Sequence, residues 1–313
     1  MQFPSIPRSL RVVGSPWVFL AALQLVQWLL VFGYSRHHTH QSTAFVALLV
    51  LVGLPVALFC VYRIAAIVGG RWLGALAAVV WVVVPFAMIP LFDARYRFTY
   101  ENQIVPRAVG LTESGEFPTM VLLLVSCLLI LQTLRDGRTW ALVSGVAVAV
   151  AAMVDASALL IVPAALLALL AAGRRRLLVP FALGLLPGIV VVLARGTGDA
   201  VAFGSWHQFH ENGIFIREFF YSLRFLEWLP IAGILAVGRR SIPAALLIGG
   251  WLGAFVFIQG SSSAVADYTF WRPMLPALPA YVLLSASIPL LVPAPRAFLE
   301  TFFPNRPRAR RAR

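Results

Sequence analysis

Three polar side chains in the segment 195–224 have the types and spacing that acid–base chemistry or ligand binding requires. His207 and His210 are three residues apart and would share one face of a helix, with Glu211 beside them. Two histidines and a carboxylate can bind a divalent metal or serve as acid and base. The spacing differs from that of a closed zinc site. Three interpretations therefore stay open: a metal site, a site for an anionic lipid or substrate, and a solvated interfacial loop.

Arginines in and near this segment could bind a phosphate. Arg217 and Arg224 are seven residues apart, which is two turns of a helix, and both could face one phosphate group. Arg272 follows Trp271 at the start of the last apolar run, where three prolines in seven residues indicate a distorted helix start. Alternatively, Trp271 and Arg272 anchor the helix at the membrane surface.

Two carboxylates, Asp93 and Glu211, are the predicted catalytic groups. Asp93 directly follows an apolar run and precedes Arg95 and Arg97, so its position is well defined. Glu211 lies six residues before Arg217 and therefore accompanies the predicted phosphate site. The acids predicted to share one side of a membrane are Asp93, Glu101, Glu113, Glu116, Asp155, Asp199, Glu211, Glu218, Glu227 and Asp267.

Two further polar features have simpler interpretations. His37, His38 and His40 are three histidines within four residues, but adjacent histidines diverge and no acid or cysteine is near them, which favours a solvated loop. Asp155 lies between two apolar runs, where a charge is unfavourable unless it faces a cavity or the interface. A tight interfacial turn explains its position.

These polar segments interrupt an otherwise apolar chain. Of its 313 residues, 60% are hydrophobic and 12% are charged. Runs of about 18 or more apolar residues are long enough to cross the ~30 Å hydrocarbon core of a bilayer as a helix. Such runs recur along nearly the whole chain, so the sequence predicts an all-α polytopic membrane protein with about ten transmembrane helices. Whether 140–173 forms two spans or one broken helix stays open.

The arginines predict an orientation. The chain has 25 Arg and no Lys, and with ten spans and a cytoplasmic N-terminus 17 of them fall inside and 8 outside. The positive-inside rule favours this arrangement, with both termini cytoplasmic in a plasma membrane of bacterial type. Because the arginines are spread over many short loops, nucleic-acid binding is not expected. The predicted organisation is a transmembrane module, 1–295, with outer loops at about 35–43, 91–118, 195–224 and 260–271, followed by a basic cytoplasmic tail, 296–313.

Several segments resemble one family. The segment FIQGSSSAVADYTFWRPMLPALPAYVLLSA resembles the end of the module found in GT-C membrane glycosyltransferases, which include protein mannosyltransferases and the aminoarabinose transferases that modify lipid A. WHQFHENGIFIR, followed by FFYSLRFLEWLP, is similar to the large outer loop of the aminoarabinose-transferase type. The family's second to fourth spans resemble two segments near the start of the chain, WVFLAALQLVQWLLVFG and ALFCVYRIAAIVGGRWLGALAAVVWVVVP. The resemblance covers about residues 16–292.

The resemblance implies a GT-C-like fold and a polyprenyl-phosphate-linked sugar as the donor, taken from membrane lipid at the outer face. Beside the resemblance, the basic side chains predicted to bind the lipid phosphate are Arg217, Arg224, Arg272, His207 and His210. These positive groups would stabilise the charge that develops on the leaving phosphate, and a carboxylate would deprotonate the acceptor hydroxyl. The sequence identifies no certain cofactor, a divalent metal stays possible, and no nucleotide-sugar site is needed.

One part of the family pattern is missing. The family's catalytic acid lies in a long outer loop after its first span, whereas this chain resembles the family from the second span and its first outer loop, SRHHTHQST, has no Asp or Glu. Either the chain is truncated, a second membrane chain supplies the acidic loop, Asp93 or Glu211 has replaced the acid, or the protein does not catalyse. The leading hypothesis is a polyprenyl-phosphate-sugar-dependent glycosyltransferase. The alternatives are a non-catalytic GT-C-like subunit that binds lipid or a partner, and a lipid-linked polymer ligase.

Overall fold

The computed structural model describes residues 15–37, 43–262 and 271–292, and these ranges are helical with no strand among them. The prediction of an all-α protein is confirmed for this part of the chain. Five of the described helices are long and apolar enough to cross a membrane: Pro16–Arg36, Ala44–Gly69, Glu116–Asp136, Arg175–Ala194 and Ile242–Ser261. Apolar helices of this length indicate a membrane protein. Ten spans and the GT-C-like arrangement stay predictions.

Twelve helices within the described ranges carry the labels used below. They are α1 (Pro16–His37), α2 (Ala44–Gly69), α3 (Arg71–Ala87), α4 (94–108), α5 (Glu116–Asp136), α6 (Arg138–Val154), α7 (Ala156–Ala171), α8 (Leu178–Ala194), α9 (Trp206–Phe219), α10 (Leu229–Gly238), α11 (Ile242–Ser261) and α12 (Leu275–Leu291).

Local sequence signals set where these helices begin and end. Gly70 and Gly137, with φ of 93° and 106°, separate α2 from α3 and α5 from α6, in a backbone region that favours glycine. Ser205 and Ser241 accept hydrogen bonds from backbone N–H groups in the first turns of α9 and α11. Such caps replace partners that the helix itself cannot supply. Short turns and serine caps thus divide a nearly continuous apolar sequence into separate helices.

Two π-helical turns interrupt the α-helical pattern. One is Leu49–Gly53 in α2 and the other is Tyr100–Ile104 in α4. Each ends two residues before a proline, Pro55 or Pro106. Proline has no N–H to donate and its ring crowds the preceding turn, so a widened turn lets the helix continue.

Glycine permits the close packing of α6 and α8. A Cβ on Gly145 would clash with the carbonyl oxygen of Phe181, and a Cβ on Gly184 would clash with that of Leu142. Small residues let membrane helices approach until their backbones touch, which increases van der Waals contact in a medium where the hydrophobic effect does not drive helix association.

The packing of α6 and α8 fixes the direction of α7. Contacts along the two helices advance in the same direction: Gly188 faces Ala149, and beyond it Arg195 Nη1 donates to the Met153 carbonyl at 2.7 Å. Helices α6 and α8 are therefore parallel, and α7 must run back between their ends. Of the two alternatives for 140–173, the structure has two oppositely directed helices joined at Asp155.

The bundle has two ends, named here after the ends of α5. At the Glu116 end, Arg272 contacts Glu116 just before α12 begins. At the Arg135 end, Arg239 Nη1 donates to the Leu291 carbonyl at 3.1 Å, which joins the end of α10 to the end of α12.

Charge differs between the two ends. Among the described residues, the Arg135 end has nine arginines and one acid, whereas the Glu116 end has eight arginines and nine acids. The Arg135 end has Arg63, Arg71, Arg135, Arg138, Arg174, Arg175, Arg176, Arg239, Arg240 and Asp136. The Glu116 end has Arg36, Arg95, Arg97, Arg107, Arg195, Arg217, Arg224 and Arg272, with Asp93, Glu101, Glu113, Glu116, Asp155, Asp199, Glu211, Glu218 and Glu227.

Candidate functional site

A buried ion cluster lies at the Glu116 end. We call it the Glu116 cluster, and it consists of Arg107, Glu116, Thr119, Trp271 and Arg272. Glu116 is the first residue of α5, Arg107 lies in the last turn of α4, and Arg272 precedes α12. The Glu116 carboxylate has a favourable position at a helix N-terminus, where backbone N–H groups carry partial positive charge. Segments far apart in sequence thus supply one site.

Two guanidinium groups bind one oxygen of the Glu116 carboxylate. Arg107 Nη1 lies 2.8 Å from Oε1 and Arg272 Nε lies 3.4 Å from the same atom. The Glu116 side chain is 14% exposed, against 22% for Arg107 and 45% for Arg272. Two positive groups and one negative group leave a formal charge of +1, which an anion entering from the Arg272 side would neutralise.

Three buried polar atoms of the cluster have no hydrogen-bond partner within the described part of the chain. They are Glu116 Oε2, Thr119 Oγ1 and Trp271 Nε1. Thr119 lies one turn after Glu116 on the same face of α5. The Arg107 guanidinium lies 5.9 Å from the centre of the Trp271 ring, which joins Trp271 to the group. Since buried polar groups in proteins are normally paired with protein or water, three unpaired ones beside one ion pair leave donors and an acceptor available to a ligand or to water.

The predicted histidine and carboxylate residues form a different, exposed group on α9. We call it the α9 group, and it consists of His207, His210, Glu211 and Arg217. The segment is helical, as the shared face of the two histidines requires. His207 Nε2 lies 3.3 Å from Glu211 Oε1, and these side chains are 82% and 46% exposed. His210 and Arg217 are also exposed.

The structure separates Arg217 from Arg224. Helix α9 ends at Phe219, and Leu223 has non-helical backbone angles, φ −129° and ψ 31°. The premise that both arginines lie on one helix, two turns apart, is therefore wrong. The Arg224 guanidinium lies 5.1 Å from the centre of the Tyr221 ring, and Arg224 is exposed.

Helix α9 is fixed to the end of α11. Asn212 Nδ2 donates to the Gly260 carbonyl at 2.9 Å, and the N–H of Ser205 donates to the Ser261 carbonyl at 3.0 Å. A Cβ on Gly204 would clash with the same Ser261 oxygen, so glycine is needed there. The α9 group is thus exposed but held on a fixed support.

Aromatic rings join α4 to the other end of α9. The Phe92 ring stacks on Tyr100 with centroids 4.3 Å apart and contacts Phe219 at 5.2 Å. Burial raises the pKa of the Tyr100 phenol, whose O–H donates to the Pro85 carbonyl at 3.1 Å. Tyr100 therefore stays neutral and serves this packing.

Asp93 and Asp155 have local structural roles. Asp93 Oδ1 accepts a hydrogen bond from the N–H of Arg95 at 3.0 Å and caps α4. Asp155 Oδ1 accepts from the N–H of Ser157 at 2.9 Å and caps α7. The second finding agrees with the predicted turn at Asp155, and its location at a membrane interface stays a prediction. The catalytic role predicted for Asp93 stays a prediction, and in this structure one of its oxygens is already engaged.

The described residues contain no group of three His, Cys, Asp or Glu side chains that could hold a metal ion. His207, His210 and Glu211, the predicted metal candidates, do not make such a group. His38, His40 and Asp267 lie outside the described residues, so the structure does not bear on them.

Sequence reasoning found part of the Glu116 cluster. Arg272 was predicted to bind phosphate, with Trp271 as its neighbour, and Glu116 was among ten acids on one predicted side. Arg107 and Thr119 were not singled out. The available signal was local: Glu116 directly precedes an apolar run, where a carboxylate at a helix start interacts with the helix dipole.

Comparison with known proteins gives no match. No protein-family model matches the chain, no curated protein matches it, and no solved structure matches it. The resemblance to GT-C glycosyltransferases therefore stays a prediction from sequence.

Proposed function

We propose that this membrane protein is a glycosyltransferase that takes a sugar from a polyprenyl-phosphate donor, with the Glu116 cluster as its reaction centre. The observation that carries the proposal is a mostly buried carboxylate with Oε1 bound by two guanidinium groups and Oε2 without a hydrogen-bond partner of good geometry. Burial raises the pKa of the Glu116 carboxyl, but hydrogen bonds from Ser114 and from its own backbone N–H, together with Arg107 and Arg272, leave that pKa below its usual value, so the carboxylate is charged and able to accept a proton at neutral pH. Such a centre offers positive charge for a phosphate and a free oxygen for a proton.

In the proposed reaction, the two oxygens of the Glu116 carboxylate have different roles. The acceptor hydroxyl gives its proton to Glu116 Oε2, and its oxygen forms a bond to the anomeric carbon of the sugar. The bond from that carbon to the phosphate oxygen breaks, and its electron pair leaves with the polyprenyl phosphate. Arg107 and Arg272 stabilise the added negative charge, and Thr119 Oγ1 and Trp271 Nε1 can donate to phosphate oxygens. The proton on Glu116 then passes to solvent.

The proposed location is the outer face of a plasma membrane of bacterial type, with both termini cytoplasmic. Nine arginines and one acid among the described residues of the Arg135 end support this side as the cytoplasmic one. Labelling from outside tests it: in a background without Cys60 and Cys127, His210→Cys should react and Arg240→Cys should not. The reverse pattern would overturn the orientation.

A non-catalytic GT-C-like subunit is the second candidate. One observation favours it: both guanidinium groups already bind Glu116, so the cluster can hold a lipid phosphate without transferring anything. A second membrane chain would then supply the acid. A lipid-linked polymer ligase would use the same donor chemistry with a glycan acceptor.

Transfer by the purified full-length chain tests the proposal. The chain in lipid nanodiscs receives a radiolabelled polyprenyl-phosphate sugar and cell-envelope acceptors, and both donor binding and transferred label are measured. Glu116→Gln should lower turnover by about 10²–10⁴-fold, as loss of a general base does, while donor binding stays within about threefold.

Asp93→Asn and Glu211→Gln are the matched comparisons, because each neutralises one carboxylate at the same end of the bundle. If either variant loses turnover while Glu116→Gln stays active, the base is at the position first predicted from sequence. Donor binding without any transfer would favour the subunit, and absence of both would overturn the proposal.

A further inference from the structure

Three arginines from three helices line one cavity at the Arg135 end. Arg63 comes from α2, Arg71 is the first residue of α3, and Arg135 lies next to the end of α5. The cavity has a volume of about 530 Å³, and no Asp or Glu is among its lining residues. The cavity therefore presents a concentrated positive charge from residues that are distant in sequence.

The surrounding acids do not neutralise this charge. Among the described residues of this end, Asp136 is the one acid, and its Oδ1 lies 3.9 Å from Arg135 Nε with both side chains largely exposed. Such exposed pairs contribute little. Within the described chain, Arg63 and Arg71 form no ion pair. Three guanidinium groups around one space repel each other, and an anion between them would remove that repulsion.

The backbone adds to the positive potential. Gly70 and Arg71 line the cavity where α3 begins, and Gly70 supplies no side chain to cap the helix. The first N–H groups of a helix have no partner within it and carry partial positive charge. Phosphate oxygens satisfy both these N–H groups and the paired donors of arginine.

One wall of the cavity is apolar. The rings of Trp17 and Phe59 stack with centroids 5.8 Å apart and planes 8° from parallel, and Leu20 and Ile67 also line the space. Tryptophan is common at membrane–water interfaces. A ligand that carries both a phosphate and a hydrocarbon chain fits a cavity with one charged side and one apolar side.

We propose that this cavity binds the phosphate of an anionic molecule, with a membrane lipid as its source and the apolar wall against the lipid chain. Arg135 and Glu116 are 19 residues apart on α5, which at 1.5 Å per residue is about 29 Å. The cavity is therefore separate from the Glu116 cluster, and neither proposal depends on the other.

Binding to the purified full-length chain in detergent tests the cavity. The probes are dioctanoyl phosphatidic acid, dioctanoyl phosphatidylcholine and inorganic phosphate, and the measured quantity is the dissociation constant. The native chain should prefer phosphatidic acid. The double variant Arg63→Gln/Arg71→Gln should weaken that binding at least tenfold, because a charge-assisted hydrogen bond contributes about 1.5–3 kcal/mol.

The matched control is Arg175→Gln/Arg176→Gln, which removes two arginines from the 3-10 turn Arg175–Leu177 before α8, at the same end but outside this cavity. It should change the dissociation constant less than twofold. If the control weakens binding as much as the cavity variant, or if the cavity variant has no effect, the proposal is wrong. Competition by inorganic phosphate at equal concentration would identify a soluble phosphate compound as the ligand, and absence of competition a lipid.

If the double variant does not fold, a single variant, Arg135→Gln, tests the same proposal. Arg135→Gln changes a largely exposed side chain, so the fold should tolerate it. This single variant should weaken phosphatidic acid binding several-fold while the unfolding temperature stays unchanged. Unaltered binding in a folded Arg135→Gln chain would also contradict the proposal.

Discussion

The Glu116 cluster and the α9 group are two polar sites at the same end of one bundle, and they differ in assembly and burial. The α9 group comes from a single helix, and its ion pair joins residues 82% and 46% exposed. In the Glu116 cluster, Arg272 binds a carboxylate 156 positions away in sequence that is 14% exposed. Charges interact more strongly where water is excluded, so the second arrangement is better suited to bind and polarise a ligand.

Removal of the central carboxylate should have the largest effect on stability. Glu116→Ala leaves Arg107 partly buried without its partner, and loss of one member of a buried pair destabilises a protein by about 3–5 kcal/mol. Because Arg272 is 45% exposed, we expect a value near the lower limit. Glu211→Ala should change the free energy of unfolding by about 0.5 kcal/mol or less. Denaturant titration in detergent measures both, and equal losses would contradict the distinction between the sites.

The arginines should separate the two sites in ligand binding. Arg272→Gln should weaken binding of a polyprenyl phosphate about tenfold or more, since a charge-assisted hydrogen bond contributes about 1.5–3 kcal/mol. Arg217→Gln, an exposed arginine of the α9 group, is the matched control. Unchanged affinity for Arg217→Gln would confine the phosphate to the Glu116 cluster. Equal losses would mean that the ligand also contacts α9, as the sequence predicted for both arginines.

The sequence predicted the helical class because that class depends on local patterns. Apolar runs of membrane length predict helices, and Asp155 between two runs predicted a turn. The assembly of the Glu116 cluster could not be predicted from such local patterns. Its assembly depends on how α4, α5 and the start of α12 pack, and no spacing relates Arg107 to Arg272. The paired histidines drew attention because their three-residue spacing is visible in sequence, although their exposure is not.

Trp271→Phe should have two smaller effects of opposite sign: higher stability of the free protein and lower affinity for the ligand. The change keeps an aromatic ring but removes Nε1–H, a buried donor without a partner in the described chain. Removing such a donor should raise the free energy of unfolding by about 1 kcal/mol. Polyprenyl phosphate affinity should fall several-fold if the donor serves the ligand. Thermal unfolding with and without ligand gives both values. Lower stability without ligand would mean that Trp271 has a structural role instead.

The smallest expected effect is the coupling between His207 and Glu211. A double-mutant cycle with His207→Ala and Glu211→Ala measures the interaction free of each residue's other contacts. An exposed pair at i and i+4 on a helix contributes about 0.3–0.5 kcal/mol, and salt screens it further. The same cycle with Arg107→Ala and Glu116→Ala should give more than about 1 kcal/mol, with less dependence on salt, because both side chains are mostly buried. If the coupling on α9 equals or exceeds that of the Glu116 cluster, the exposed pair is held by a ligand or a partner chain. The reaction centre would then move to the α9 group, where the sequence first predicted it.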